Sequence, residues 1–410
     1  MEFRNTGQSE GELKKKIQKL FDEAKKEWAG VFPDESKIDL SPSHLSICVS
    51  SLQDVKLFNS NLQVIDEAFE YLVSKSAKGE KGQYFTPRHV IDMCVKMLNP
   101  QKGEYMIDTA AGSCGFTVHT IFHLTGHLFE NTEISQEEKD DVLKVFGIDF
   151  DEKVVRVART LNLIAGDGET NVLHLNTLDY DRWNETVSNR SWYSTYGKGF
   201  ERFEKLKKAQ TENKDFKFDI LMANPPFAGD IKESRIIHKY ELGYNNKNKP
   251  KSKVGRDILF IERNLDFIKP GGRIAIVLPQ GRFNNTSDKD IREYIADKAR
   301  ILAVVGLHGN TFKPHTGTKT SVLFVQKWDN NLCPKKDDYP IFFGVSEKAG
   351  KDNSGDYIYI KNGNGKPRLD KYGHLIVDHD LHNHNGELPD GITEAFIDWA
   401  KSENLSFWRD

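Results

Sequence analysis

Phe218-Asp219-Ile220-Leu221-Met222-Ala223, running directly into Asn224-Pro225-Pro226-Phe227, is the stretch from which the fold is read. Its first six residues are a short apolar run of the kind that forms a strand buried in a parallel sheet. The two prolines donate no backbone hydrogen bond and fix their own φ, so the strand ends there. The chain then makes a rigid turn at the carboxyl end of a strand, where open α/β sheets place their ligands. The Asn224 amide, the neighbouring carbonyls and the Phe227 ring together suit a planar, nucleobase-like amine: acceptors for its N–H groups and a face to stack on. The same four residues equally fit a strand-terminating loop with a core phenylalanine.

Upstream, Tyr105-Met106-Ile107-Asp108 reads as a strand, followed by the small-residue turn Thr109-Ala110-Ala111-Gly112-Ser113-Cys114-Gly115-Phe116 and a helix. Strand, turn and helix in that order open a nucleotide-binding βαβ unit, with Gly112 and Gly115 allowing close backbone approach to a ligand. A carboxylate at Asp108 attracts an ammonium group and repels a pyrophosphate. Val145-Phe146-Gly147-Ile148-Asp149 is a second strand ending in an acid, the usual partner of ribose hydroxyls. Together they point to an adenosine-type ligand carrying an amino acid; the competing reading is an ordinary α/β domain with two exposed acids. Asn171–Leu175 is a third strand, with Asn176, Thr177 and Asp179 just past its end, and residues 181–217 read as a polar, aromatic-containing insertion. Gly272–Leu278, Ile301–Val305 and Ser321–Val325 complete a seven-stranded α/β sheet. The loop between the last two strands is too short for a crossover helix, so one strand near the edge is expected to be antiparallel.

Around this core the expected domains are a helical region at 1–81, the sheet at 82–330 and a mixed extension at 331–410. In the first, Leu13, Ile17, Leu20, Ala24 and Trp28 share a helix face; Leu62–Val73 is a second helix and Lys75–Lys81 a basic hinge. Thr86-Pro87 before Arg88-His89-Val90-Ile91 reads as a helix start with Thr86 as N-cap. Residues 231–256 hold eight Lys/Arg (among them Lys232, Arg235, Lys247, Lys249, Lys251 and Lys253) against two acids, with Tyr240 and Tyr244 interleaved. Beside the proposed base pocket this run reads as a phosphate-contacting loop, the plain alternative being a solvated charged loop. His379, His382 and His384 suggest a metal site, but their Asp/Asn neighbours in a polar segment favour a surface loop, so no metal is expected. A formal net charge of -3 excludes a protein that grips nucleic acid by bulk charge alone. Four scattered cysteines exclude a disulfide framework. With no long apolar run or signal-peptide core, a soluble cytoplasmic protein without membrane contact is expected.

The chain resembles the N6-adenine DNA methyltransferases, in particular the modification subunits of type I restriction–modification systems. Four stretches match in the family's order: Gly82–Pro87, Asp108–Phe116, Asn224–Phe227, and Gly271-Gly272-Arg273 through Leu278-Pro279-Gln280-Gly281. The Thr311–Thr320 loop looks like the family's late glycine-lysine-threonine element. Two positions depart: Thr109 stands where the family usually has Pro, and Cys114 where it usually has Gly. The helical region ahead of Gly82 is also shorter than usual. The resemblance implies a Rossmann-like methyltransferase sheet and S-adenosylmethionine as cofactor. It places Tyr84, Phe85, Thr86 and Pro87 at the methionine end. Asp108, Ala110, Gly112, Ser113, Gly115 and Phe116 would hold the amino acid part, and Asp149 and Asp179 would complete the cofactor site. Asn224, Pro225, Pro226 and Phe227 would then act on the N6 amine of an adenine flipped from double-stranded DNA. A DNA-specificity subunit and a restriction (nuclease) subunit are the implied partners. Enzymes acting on protein glutamine or ribosomal RNA share the Asn-Pro-Pro-aromatic turn, and a non-catalytic assembly subunit is the reading from another class.

Overall fold

The computed structural model describes residues 2–27, 32, 35–54, 85–126, 135–164, 171–208, 214–245, 247–370 and 375–409. The expected helix at Leu62–Val73, the hinge at 75–81, and Gly82, Gln83, Tyr84 and Trp28 lie outside these residues.

Ten strands are described: β1 (Met106–Asp108), β2 (Val145–Asp149), β3 (Val172–His174), β4 (Phe218–Ala223), β5 (Asp230–Ile231), β6 (Val254–Gly255), β7 (Ile268–Pro279), β8 (Ala299–Gly306), β9 (Thr320–Lys327) and β10 (Phe342–Val345). The longer helices are α1 (Glu10–Glu27), α2 (Pro42–Leu52), α3 (Arg88–Leu98), α4 (Gly115–Thr125), α5 (Glu152–Ile164), α6 (Arg190–Glu204), α7 (Arg256–Phe267), α8 (Lys289–Lys298) and α9 (Ile392–Ser402). Eight strands form one sheet in the order β10-β8-β9-β7-β4-β1-β2-β3, and β5–β6 form a small separate ribbon. Within the large sheet β9 runs antiparallel to β7 and β8, while the other pairs are parallel. The expected α/β sheet and its reversed strand are therefore present. The strand number is corrected from seven to eight, because Phe342–Val345 adds to the β8 edge.

Alternate residues of the central strands serve two cores, as the pleat requires. On β4, Leu221 and Ala223 pack on one face with Ile274, Phe267 and Leu259, while Ile220 and Met222 pack on the other with Met93, Met97 and Phe396. Beyond residue 330 the chain supplies not only β10 but also Phe396, Ala400 and Leu405 of this second core. The polar insertion expected before β4 is instead largely α6, whose Trp192, Tyr196, Phe200 and Phe203 are buried in the first core. Their near-helical spacing makes an apolar stripe inside a charged stretch. α1 and α2 pair through a small core of their own: Leu13, Ile17, Leu45 and Val49.

Two sequence expectations fail for tertiary reasons. Thr86 does not cap α3: Pro87 occupies the N-cap position and no side chain caps the helix. The surface loop expected at His379–His384 is also wrong, since His379 and His382 are buried and His384 is half-buried. No helix among the described residues is long and apolar enough to cross a membrane.

Candidate active site at the switch point of the sheet

β1 sits between β2 and β4, and the order of the sheet reverses there: β2 and β3 extend one way, β4 and β7 the other. At such a switch point the two outgoing loops diverge and leave a crevice at the strands' carboxyl ends. Ile107 lies opposite Leu221 in the parallel β1–β4 pair. Continuing that register puts Asn224 two residues beyond the partner of Asp108, so the two backbones are roughly 8 Å apart from standard strand spacings. The amide and the small-residue turn thus border one crevice.

The turn after β1 is built around two carboxylates. Asp108 is buried, and its Oδ1 accepts from the backbone N–H of Ala110 at 3.0 Å. Asp149, at the end of β2, accepts from the N–H of Gly112 at 2.9 Å through Oδ2 and from that of Asp151 at 2.9 Å through Oδ1. Burial raises the proton affinity of both, and the Asp149 charge raises that of Asp108 further. Gly112 needs its freedom, having a φ of +52°. Gly115 also has a packing role: a Cβ there would lie 2.5 Å from the side-chain end of Ile91, Cδ1, on α3. Phe116 is a core residue, Ser113 is half-buried, and the Ala111 N–H is already bonded to the Ile148 carbonyl.

The two departures from the family pattern have separate physical settings. Thr109 uses its hydroxyl, donating to Asn264 Oδ1 of α7 at 2.6 Å, while its carbonyl accepts from Thr177 Oγ1 at 2.6 Å. Cys114 adopts a φ of +67°, the left-handed conformation that glycine takes without cost and a side-chain-bearing residue does not. Its side chain is fully buried in the first core.

Asn224 and Thr86 meet directly: Asn224 Nδ2 donates to Thr86 Oγ1 at 3.0 Å. This bond gives Nδ2 the donor's role and makes Oδ1 the acceptor end of the amide. Phe227 meets Phe312 edge-on at 6.0 Å between ring centroids. Beside it lies an open cleft of about 290 Å³ lined by Phe227, Ala228, Pro279, Gly281, Arg282 and Asn285, with Thr318 at its border. Segments after β4 and β7 and from the loop before β9 therefore converge on one concavity, near the lower limit of ligand-pocket sizes. Arg282 is held there by Asp257 at 2.7 Å and Asp288 at 3.0 Å. Gly272 and Arg273, by contrast, are structural: a Cβ at Gly272 would lie 2.5 Å from Ile268 Cγ2, and buried Arg273 pairs with Glu104 at 2.7 Å.

The remaining expected residues divide. Phe85 is half-buried and Pro87 buried next to Thr86. Asp179 is held by Arg235 at 2.8 Å and by Lys239 at 3.0 Å, which keeps its carboxyl well below the usual range despite opposing burial. An expected cofactor residue and an expected DNA residue thus pair with each other. Lys251 Nζ donates to the Leu242 carbonyl at 3.0 Å and Lys253 pairs with Asp230 at 3.0 Å. Lys232, Lys247 and Lys249 are exposed and make no ion pair among the described residues. Tyr240 is buried with its hydroxyl on the Leu178 carbonyl, whereas Tyr244 is half-buried. One residue escapes the sequence reading: Phe150, directly after Asp149 at the end of β2, is 71% exposed. An aromatic following a strand-tip acid is its only sequence signal.

Comparison with known proteins agrees with this geometry. The chain is 26% identical to the EcoEI type I restriction enzyme methylase subunit of Escherichia coli over 282 residues, covering 68% of this chain and 48% of that one. It is 25% identical to the EcoKI methylase subunit of Escherichia coli K12 over 324 residues, covering 77% and 54%. The chain spans about half the length of these curated relatives. In fold it is similar to a modification subunit of a putative type I restriction enzyme from Vibrio vulnificus YJ016, with a TM-score of 0.51, 18% identity, and coverage of 82% of this chain and 67% of that one. The model of the N-6 DNA methylase family matches residues 60–385, so the crevice between Asp108 and Asn224 lies within the matched region and the chain belongs to that family.

Proposed function

We propose that this chain transfers a methyl group from S-adenosylmethionine to the N6 amine of an adenine in DNA, as the modification subunit of a type I restriction–modification complex. The observation that carries the reading is the Thr86–Asn224 hydrogen bond at the switch point, which ties the helix-start element to the Asn-Pro-Pro-Phe turn. The crevice fits the cofactor. Two buried carboxylates with raised proton affinity favour a ligand bearing an ammonium group and ribose hydroxyls, and exposed Phe150 offers a stacking face to its purine. Bound there, S-adenosylmethionine supplies an electrophilic methyl on a sulfonium.

The chain's own residues do the rest. The adenine N6 lone pair is delocalised into the ring, so the amine is a poor nucleophile. The Asn224 Oδ1 and the Pro225 carbonyl accept its two hydrogens and favour a more tetrahedral nitrogen, aligning the lone pair for in-line displacement. Pro226 keeps the turn rigid. Phe227 stacks on the flipped base, recovering about 1–3 kcal/mol of the stacking lost on leaving the duplex. Lys232, Lys247 and Lys249 contact phosphates, and Arg235, anchored by Asp179, holds their loop against the crevice. Three ordinary cations do not hold a duplex at physiological salt, which accords with a DNA-specificity subunit supplying the recognition contacts and with a restriction subunit joining the same complex. The test is Asn224→Ala in the complex with its specificity partner. Loss of methyl incorporation with S-adenosylmethionine binding retained is expected; turnover like the wild type's refutes the assignment. Offering DNA, RNA and protein substrates side by side in that assay separates adenine methylation from protein-glutamine and ribosomal RNA methylation.

A further inference from the structure

Around α3 gathers a group of imidazoles, His89, His119, His379, His382 and the half-buried His384, five of the chain's thirteen histidines. We propose that His379, His382 and His384 bind one divalent transition-metal ion of the zinc class, with Asp92 orienting His382 and the ion clamping the 379–384 segment onto the first turn of α3.

One ring nitrogen from each of the three histidines lies within 4.8 Å of the other two. The closest pair, His379 Nε2 and His384 Nε2, is 2.8 Å apart. Tetrahedral sites with bonds of about 2.0–2.1 Å need nitrogens about 3.3 Å apart, a value these distances bracket. The hydrogen bonds fix the tautomers of the ion-free chain. His382 Nδ1 accepts from the backbone N–H of His384 at 3.2 Å, so its proton sits on Nε2, which faces Asp92 Oδ2 at 3.8 Å. Asp92 thus stands behind Nε2 as a carboxylate stands behind a ligating histidine, and an ion on Nδ1 would replace the 3.2 Å bond from the His384 N–H. His379 Nδ1 accepts from the Leu381 N–H at 3.1 Å, which sends the His379 proton from Nε2 toward His384 Nε2. For a cation to take Nε2, the His379 proton moves to Nδ1 and the 3.1 Å bond from the Leu381 N–H is given up, so that the ring ligates as a neutral imidazole.

His379 and His382 are 5% and 3% exposed, and His382 Nε2 has no hydrogen-bond partner among the described residues. Buried polar groups are normally satisfied. His384 and Asn385 have φ values of +50° and +60°, two successive left-handed residues without glycine. Imidazole donors select zinc, copper, nickel or iron over magnesium and calcium, which take oxygen ligands. His89 stacks on His379 at 4.8 Å, and Asp92 also accepts from or shares a proton with His119 at 2.6 Å, so the clamp reaches both α3 and α4. Because α3 follows Thr86 by one residue, an ion here fixes the element that holds Asn224.

The experiment uses the full chain produced without a histidine tag, stripped with a chelator and titrated with Zn(II) and Co(II), with metal content by mass spectrometry and X-ray absorption at the metal edge. About one ion per chain with an imidazole-dominated first shell is expected. His382→Ala and His384→Ala should each abolish stoichiometric binding, while exposed His44→Ala on α2 keeps it. No saturable binding, a shell without imidazole, or unchanged stoichiometry in both variants overturns the proposal. The absorption measurement on the unaltered chain decides even if a variant fails to fold. Because none of these readouts involves methyl transfer, the result is independent of the proposed activity.

Discussion

Replacing Cys114 tests the conformation of the turn after β1 without any assay of activity. Its φ of +67° and ψ of 27° lie in the left-handed region, and its side chain is fully buried. In an ordinary helical conformation alanine would exceed glycine by about 0.5–1 kcal/mol of backbone entropy. The buried methyl would add about 0.8 kcal/mol. Cys114→Ala would then be more stable than Cys114→Gly by about 1.5 kcal/mol. At this φ the alanine also carries about 1–2 kcal/mol of strain that glycine escapes, which cancels the advantage. The two variants should therefore denature within about 0.5 kcal/mol of each other, both somewhat below the wild type because the buried sulfur is lost. Urea midpoints at unchanged slope measure the difference. An alanine variant ahead by the full 1.5 kcal/mol refutes the left-handed assignment, and with it the resemblance of Cys114 to a family glycine.

Three further outcomes rest on the site. Burial lifts Asp108 above the usual carboxylate range, so the folded chain holds that proton more tightly than the unfolded one, and stability falls as pH rises from the ordinary carboxylate pKa through the raised one. Asp108→Asn should remove that fall, stabilise the ligand-free chain at pH 8 by about 0.5–2 kcal/mol and abolish cofactor binding; thermal unfolding between pH 5 and 8 with calorimetric titration checks it, and an unchanged pH profile contradicts it. Thr86→Val removes the acceptor of the 3.0 Å bond from Asn224. It should lower kcat roughly 10–100-fold, the equivalent of about 1–3 kcal/mol for an orphaned buried donor, with cofactor affinity kept; single-turnover methyl transfer reads this, and wild-type rates sink the positioning role. Replacing Lys247 and Lys249 together by Gln should reduce the salt dependence of DNA binding by a slope of about 1.8, whereas Arg235→Gln, which breaks the pair with Asp179, should act on loop stability instead; equal slopes in all variants would remove the phosphate role.

The sheet is legible because its strands are short apolar runs closed by turn residues, and local periodicity identifies such runs wherever they sit. Phe218–Ala223 and Val145–Asp149 are read to the residue on that ground. Thr86 is misread as a cap for the opposite reason: its hydroxyl accepts from a side chain 138 positions away, and no local rule contains that partner. The basic loop shows the same limit. Composition counts Arg235 and Lys239 as free positive charge, but carboxylates brought in by the loop after β3 claim them. The edge strand Phe342–Val345 escapes because four residues with only alternate burial carry too weak a pattern.

The pattern of success and failure has a topological cause. Groups at strand ends can be located from sequence because sheet order alone places them: once β1 and β4 are neighbours, Asp108 and Asn224 must border the same crevice. Groups behind α3 have no such rule. His379–His384 reach Asp92 and His89 only because the chain beyond β9 first adds β10 and then returns across the second core before α9 seals it. That return leg stabilises the face of the sheet on which α3 lies, and α3 carries Thr86 at its entrance. The part of the chain least like the catalytic fold is thus the support for one half of the Thr86–Asn224 contact. The setting of Asn224 thus draws on residues past 330 as well as on the prolines beside it.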